Sequence, residues 1–109
     1  MSDKQIIWLS FDLGLRGDYE GMYAWLDQHR AKECGEGVAF LSYSHDGATL
    51  PEKLKADLDK SLTFDKRSRV YVIWRDKTHR MKGRFIVGSR RAAPWVGTAP
   101  GAAAEDDEG

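Results

Sequence analysis

From Ile6 to Asp12 apolar and polar positions alternate. Ile7, Leu9 and Phe11 fall on one side of an extended segment, and Ile6, Trp8, Ser10 and Asp12 on the other. A period of two predicts a strand, "QIIWLSFDL", with one purely apolar face and one that turns polar towards its end. "GLRG" interrupts the pattern, and Asp18 is placed to cap a helix. From Tyr19 to about His29 the positions Tyr19, Met22, Tyr23 and Leu26 follow the i, i+3, i+4, i+7 spacing of a buried stripe, leaving Glu20, Asp27 and Arg30 to water. Gly35 and Gly37 then punctuate two extended stretches, a short one at 31–34 and a longer one at 38–44. Thr49 and Glu52 have capping-box spacing around Pro51, and Leu50, Leu54, Leu58 and Leu62 recur every fourth residue, which predicts a second helix. "RVYVIWR" (69–75) and "GRFIVG" (83–88) read as strands joined by the polar loop "DKTHRMK".

The order strand, helix, short strand, strand, helix, strand, strand predicts an α+β fold. It fits a ferredoxin-like two-layer sandwich, βαββαβ, with an extra C-terminal strand. A thioredoxin-like order is the competitor if 31–34 is not a strand, but the C-x-x-C motif that would favour it is missing. Both helices would cover one sheet face. The other is expected to carry Trp8 and Asp12 and, by parity, Phe40 and some of Val70, Val72 and Trp74. An exposed apolar patch of that kind often marks an interface, and two-fold homodimers are the commonest closed assembly. Trp8, Phe40 and Trp74 are therefore the expected dimer contacts. After Trp95 periodicity is lost, which divides the chain into one domain, 1–97, and a disordered acidic tail, 98–109.

Length adds a bound: 109 residues hold one core, and no apolar run approaches the roughly 20 residues that span a bilayer. No membrane association is expected. "MSDKQ" lacks the features of a secretory leader, and the single cysteine, Cys34, can form no intrachain disulfide; a cytoplasmic protein is expected. Net charge is zero but unevenly spread. Residues 1–64 hold seven Lys/Arg and eleven Asp/Glu, residues 65–91 ten and two, and the remainder none and four. Within the basic block, Arg75, Lys77, Arg80, Lys82 and Arg84 form a candidate phosphate-facing surface. The alternative is a solvated hairpin whose charges discourage edge-to-edge aggregation.

"IIWLSFDLGLRGDYEGMYAWLDQH", the extended "GVAFLSYS", the helix begun by Pro-Glu and "SRVYVIW" together resemble the small CRISPR-associated proteins of spacer acquisition and the related virulence-associated protein D. The likeness covers roughly residues 5–76. It implies a homodimer packed sheet to sheet, with the acidic residue that ends the first strand near the two-fold axis. There a pair of carboxylates can bind a divalent metal and support phosphodiester cleavage. Only Phe11-Asp12 matches that element. The resemblance thus makes Asp12 the candidate catalytic residue and Mg²⁺ ligand, since Mg²⁺ commonly takes one or two carboxylates plus water and phosphate. The residue's other reading is a strand-end acceptor for amides of the Gly14–Gly17 loop.

The remaining motifs are weaker. Ser44-His45-Asp46 has triad residue types but not a triad's geometry. "KGRFIVG" partly resembles an RNA-stacking signature, with Arg84 where an aromatic belongs, so Phe85 reads first as a packing residue. His29, His45 and His79 lack metal-ligand spacing. Two function classes stand side by side. One is a nucleic-acid-binding dimer, for RNA or DNA, with Mg²⁺-dependent nuclease activity. The other is a non-catalytic homodimeric protein-interaction module.

Overall fold

Alternating side chains become a two-layer structure in the computed structural model, which describes residues 3–45 and 50–101. The elements are β1 (Asp3–Asp12), α1 (Tyr19–Gln28), β2 (Lys32–Glu33), β3 (Val38–His45), α2 (Leu50–Ser61), β4 (Arg69–Arg75) and β5 (Met81–Val87). The sheet order is β2-β3-β1-β4-β5, every neighbouring pair antiparallel. This is the ferredoxin-like α+β sandwich with one strand added beside β4. Among the described residues no helix is long and apolar enough to cross a membrane.

The register fixes the two faces. Cross-strand partners share a face, so Ile7 with Leu41 and Trp74, Leu9 with Ala39 and Val72, and Phe11 with Val70 form the floor of the core. Met22, Trp25 and Leu26 of α1 and Leu50, Leu54 and Leu58 of α2, with Leu62 just beyond it, close the core from above. All four leucines follow the sequence reading. The stripe of α1 does not: Trp25 is 2% exposed, whereas Tyr23 is 57% exposed and Tyr19 lies half-buried.

Both ends of α1 show why it sits where it does. Asp18 Oδ1 accepts the Gly21 N–H at 2.9 Å, and Oδ2 accepts the Thr63 N–H at 3.0 Å, so one carboxylate caps α1 and ties it to the chain leaving α2. These amides hold its carboxyl below the usual carboxylate range. At the other end Arg30 N–H donates to Asp27 O and Ala31 N–H to Leu26 O, the paired bonds of a Schellman stop. Glycine normally takes the left-handed position of that stop. Here it is Arg30, with φ +55, a conformation that costs a side-chain-bearing residue about 1–2 kcal/mol. The capping role expected of Thr49 lies outside the described residues, as do residues 102–109 of the acidic tail; Pro100 and Gly101 lie in a turn.

Candidate nucleic-acid interface

With both helices on one side, no helix or strand among the described residues covers the opposite face. Trp8 lies at its centre, opposite Phe40 on β3 and Ile73 on β4. The two aromatic rings are 6.5 Å apart and tilted by 36°. Towards β5, Tyr71 and Phe85 are cross-strand partners in an edge-on pair at 4.8 Å, and the Arg90 guanidinium lies 5.8 Å from the Phe85 ring centre. The Tyr71 ring lies over Gly83, where a Cβ would come within 2.4 Å of its hydroxyl. A glycine on the added strand thus lets the aromatic row lie flat on the sheet. Trp8 is 37%, Ile6 47% and Met81 54% exposed. Between them and the β4–β5 turn is an open concavity of about 470 Å³.

Charge is segregated by face. Register and parity place Lys4, Lys32, Arg69 and Arg75 on the open face, joined by Arg90. The carboxylates there are few. Asp12 lies opposite Arg69, with 3.7 Å between Oδ2 and Nη2. Asp76 at the rim serves the turn. The two helices hold Glu20, Asp27, Glu52, Asp57 and Asp59 against Lys53, Lys55 and Lys60. The sheet face is cationic, and the two helices by themselves carry an excess of carboxylates.

This arrangement redistributes the residues expected from sequence. Trp8 and Phe40 are together on the open face as expected. Val70, Val72 and Trp74 are corrections: they pair with Phe11, Leu9 and Ile7 and pack into or against the core on the helix-covered side, because the β1–β4 register puts Ile73, not Trp74, beside Trp8. The five basic residues do not form one surface. Arg75 is on the open face, and Lys77 and Arg80 belong to the turn. Lys82 and Arg84 alternate to the helix side, Lys82 reaching Asp76 at 3.4 Å and Arg84 reaching Glu52 of α2 at 2.7 Å. Tyr71, Ile73, Lys4, Lys32, Arg69 and Arg90 were not among the sequence candidates. Their shared face follows from strand register, which composition does not show.

Asp12 is also separated from the hairpin. It ends β1 beside Arg69, the first residue of β4, whereas the turn follows Arg75 at that strand's far end. Six residues of extended chain put about 20 Å between them. Asp12 is exposed, and its Oδ1 accepts the Gly14 N–H at 3.1 Å, the loop-acceptor role. It borders a concavity with Glu36, Tyr19 and Tyr23, but the Arg69 guanidinium already presents a cation to its carboxylate. Among the described residues no three His, Cys, Asp or Glu side chains gather to hold a metal ion. One chain alone therefore does not assemble a Mg²⁺ site at Asp12, and the paired-carboxylate site that the resemblance implies would need the Asp12 of a second copy.

The turn itself is ordered by one carboxylate. Asp76 Oδ1 accepts from the Thr78 N–H and hydroxyl at 2.8 and 2.7 Å and from the Arg80 N–H at 3.0 Å. The Thr78 hydroxyl bond, then the Arg80 amide, hold its carboxyl far below the usual range. A depressed folded-state pKa adds stability that is complete above the unfolded value of about 4 and is lost as pH falls through the folded one. Asp76→Asn is expected to lower the melting temperature at pH 7. The gap from the parent should narrow steadily as pH drops from about 5 towards 2. A gap that is constant over that range would show that the carboxylate's charge does not organise the turn.

Comparison of the chain with protein-family models, with curated proteins and with solved structures gives no match in any of the three.

Proposed function

We propose that the uncovered sheet face binds single-stranded nucleic acid. The observation that carries this reading is the pair of exposed Trp8 and half-buried Phe40 at the centre of a face framed by five cationic side chains. Aromatic rings on a sheet offer bases a stacking surface of any sequence, and surrounding Lys and Arg track the phosphates. Duplex bases are already stacked on one another, so the platform favours unpaired strands. The resemblance to spacer-acquisition proteins points towards the same class of partner. The reading is of a binding protein: Asp12, engaged by Gly14 and Arg69, is given no part in cleavage.

A homodimer closed sheet to sheet is the second reading, favoured by the exposure of Ile6 and Met81. Against it, a two-fold copy would set the cationic frame against itself in the absence of a polyanion, a like-charge juxtaposition that opposes association.

Titrating a labelled oligouridylate and its duplex at several salt concentrations tests the proposal. Each phosphate contact on a single strand contributes about −0.7 to the slope of log K against log salt. Three to four contacts predict a slope of about −2 to −3, hence roughly 20- to 60-fold weaker binding at 200 mM than at 50 mM salt. Single strands should bind more tightly than duplex. No binding at low salt, together with a two-chain mass in light scattering, would replace this reading with the interaction module.

A further inference from the structure

β2 covers β3 only at Ala39 and Phe40, yet β3 continues to His45 with no strand on its outer side among the described residues. Bare edges of this kind are usually shielded. The space beside this one is a concavity of about 580 Å³, bordered by Lys4, Arg30, Lys32, Phe40, Ser42 and Ser44. Three cations thus reach it from three places: β1, the stop after α1, and β2. Among the described residues none of them is in an ion pair. The carboxylate that shares the lining, Asp57, accepts the hydroxyl of buried Tyr43, so it already has a donor within the protein.

Arg30 adds an independent sign. Its backbone is held at φ +55, where glycine would be unstrained. A strained non-glycine residue is a reason to ask what its side chain does. Here the strained position carries a guanidinium, the group best shaped to grip phosphate oxygens. Phe40 belongs both to this concavity and to the stacking pair with Trp8, so a base on that pair would have its phosphate beside the three cations.

We propose that this concavity holds the terminal phosphomonoester of a nucleic-acid strand whose end base stacks on Phe40, an assignment resting on the nucleic-acid reading above. A monoester carries about −1.5 to −2 charges near neutral pH, against −1 for a bridging diester. Three unpaired cations at one end of the platform favour that end group over an internal phosphate.

The test is calorimetric titration of the intact protein with hexauridylates that differ only at their ends: 5′-phosphate, 3′-phosphate, or hydroxyl at both. Uridine 5′- and 3′-monophosphates serve as minimal probes. One phosphorylated form should bind about five- to tenfold more tightly than the hydroxyl form, on the order of one additional charge-assisted contact. Arg30→Gly removes the guanidinium while suiting the left-handed backbone, so it should abolish that preference without lowering the melting temperature. Lys32→Ala should reduce it independently. Equal affinity for all three hexamers overturns the inference and leaves the nucleic-acid reading intact. Monophosphate binding that Arg30→Gly removes, with no binding of any hexamer, supports the phosphate site and overturns that reading instead. Oligoglutamate competing as strongly as the phosphorylated hexamer would assign the bare edge to an acidic peptide and overturn the proposal.

Discussion

Trp25→Ala is expected to destabilise the protein by about 3–5 kcal/mol, and Tyr23→Ala by no more than about 1 kcal/mol, although the two aromatics are only two residues apart on α1. Trp25 is 2% exposed, stacks on His29 with ring centres 4.0 Å apart, and lies 6.2 Å from Tyr43. Its removal leaves a cavity between helix and sheet that Met22 and Leu26, already packed, cannot fill. Tyr23 is 57% exposed, its ring centre 6.4 Å from that of Phe11 and 5.8 Å from that of Tyr19. Urea denaturation followed by circular dichroism separates the two. A loss as large as the whole stability of a typical domain, about 5–15 kcal/mol, would leave Trp25→Ala partly unfolded in buffer. Equal losses in the two variants would mean that α1 presents a different face to the sheet.

That contrast shows what could be read from the sequence. Two helical stripes fit α1, one through residues 19, 22, 23 and 26 and one through 22, 25, 26 and 29; both contain Met22 and Leu26. Spacing alone does not choose between them. The structure takes the second, burying the tryptophan that stacks on His29, while Tyr19 remains half-buried with its hydroxyl oxygen accepting the Leu13 N–H at 3.3 Å. α2 has no such ambiguity, because its leucines define one line with Glu, Lys and Asp around it. β1 and β3 are equally legible: Ile7, Leu9 and Phe11 alternate with Trp8 and Ser10, and Leu41 and Tyr43 alternate with Ser42 and Ser44.

β4 is different, since "VYVIW" is apolar at every position and carries no record of which residues face the helices. Only pairing with β1 decides it, and pairing is a property of the sheet. The position of the basic hairpin is set the same way. Because β4 runs antiparallel to β1, its C-terminal end lies beside the start of β1, away from Asp12. A block dense in Lys and Arg is easily seen in the sequence; its division between two faces and one turn is not. The residues that frame the open face, Lys4, Lys32, Arg69, Arg75 and Arg90, are spread along the chain and become neighbours only through register.

The same register puts two tryptophans on opposite faces of the sheet, which sets up the second large effect. Replacing Trp8 and Phe40 together by Ala is expected to weaken binding of an oligouridylate about 30-fold or more, since each stacked base contributes on the order of 1–3 kcal/mol. The cost in stability should be about 1 kcal/mol, the worth of a cross-strand aromatic pair on an uncovered face. Trp74→Ala should do the reverse. Packed beside Ile7 under the helices, it is expected to cost about 2–3 kcal/mol of stability and to leave oligonucleotide affinity within twofold at temperatures where the variant is folded. Paired measurements of affinity and unfolding on both variants decide the matter. Binding that survives without Trp8 and Phe40 but disappears without Trp74 would move the nucleic acid off the open sheet. A dimer that becomes monomeric when Trp8 and Phe40 are removed, with oligonucleotide affinity unaltered, would instead give the aromatic pair to a second copy of the chain. The cationic frame makes the first outcome the expected one: stacking surface and phosphate contacts lie on the same side of the sheet, and neither needs the acidic helices behind it.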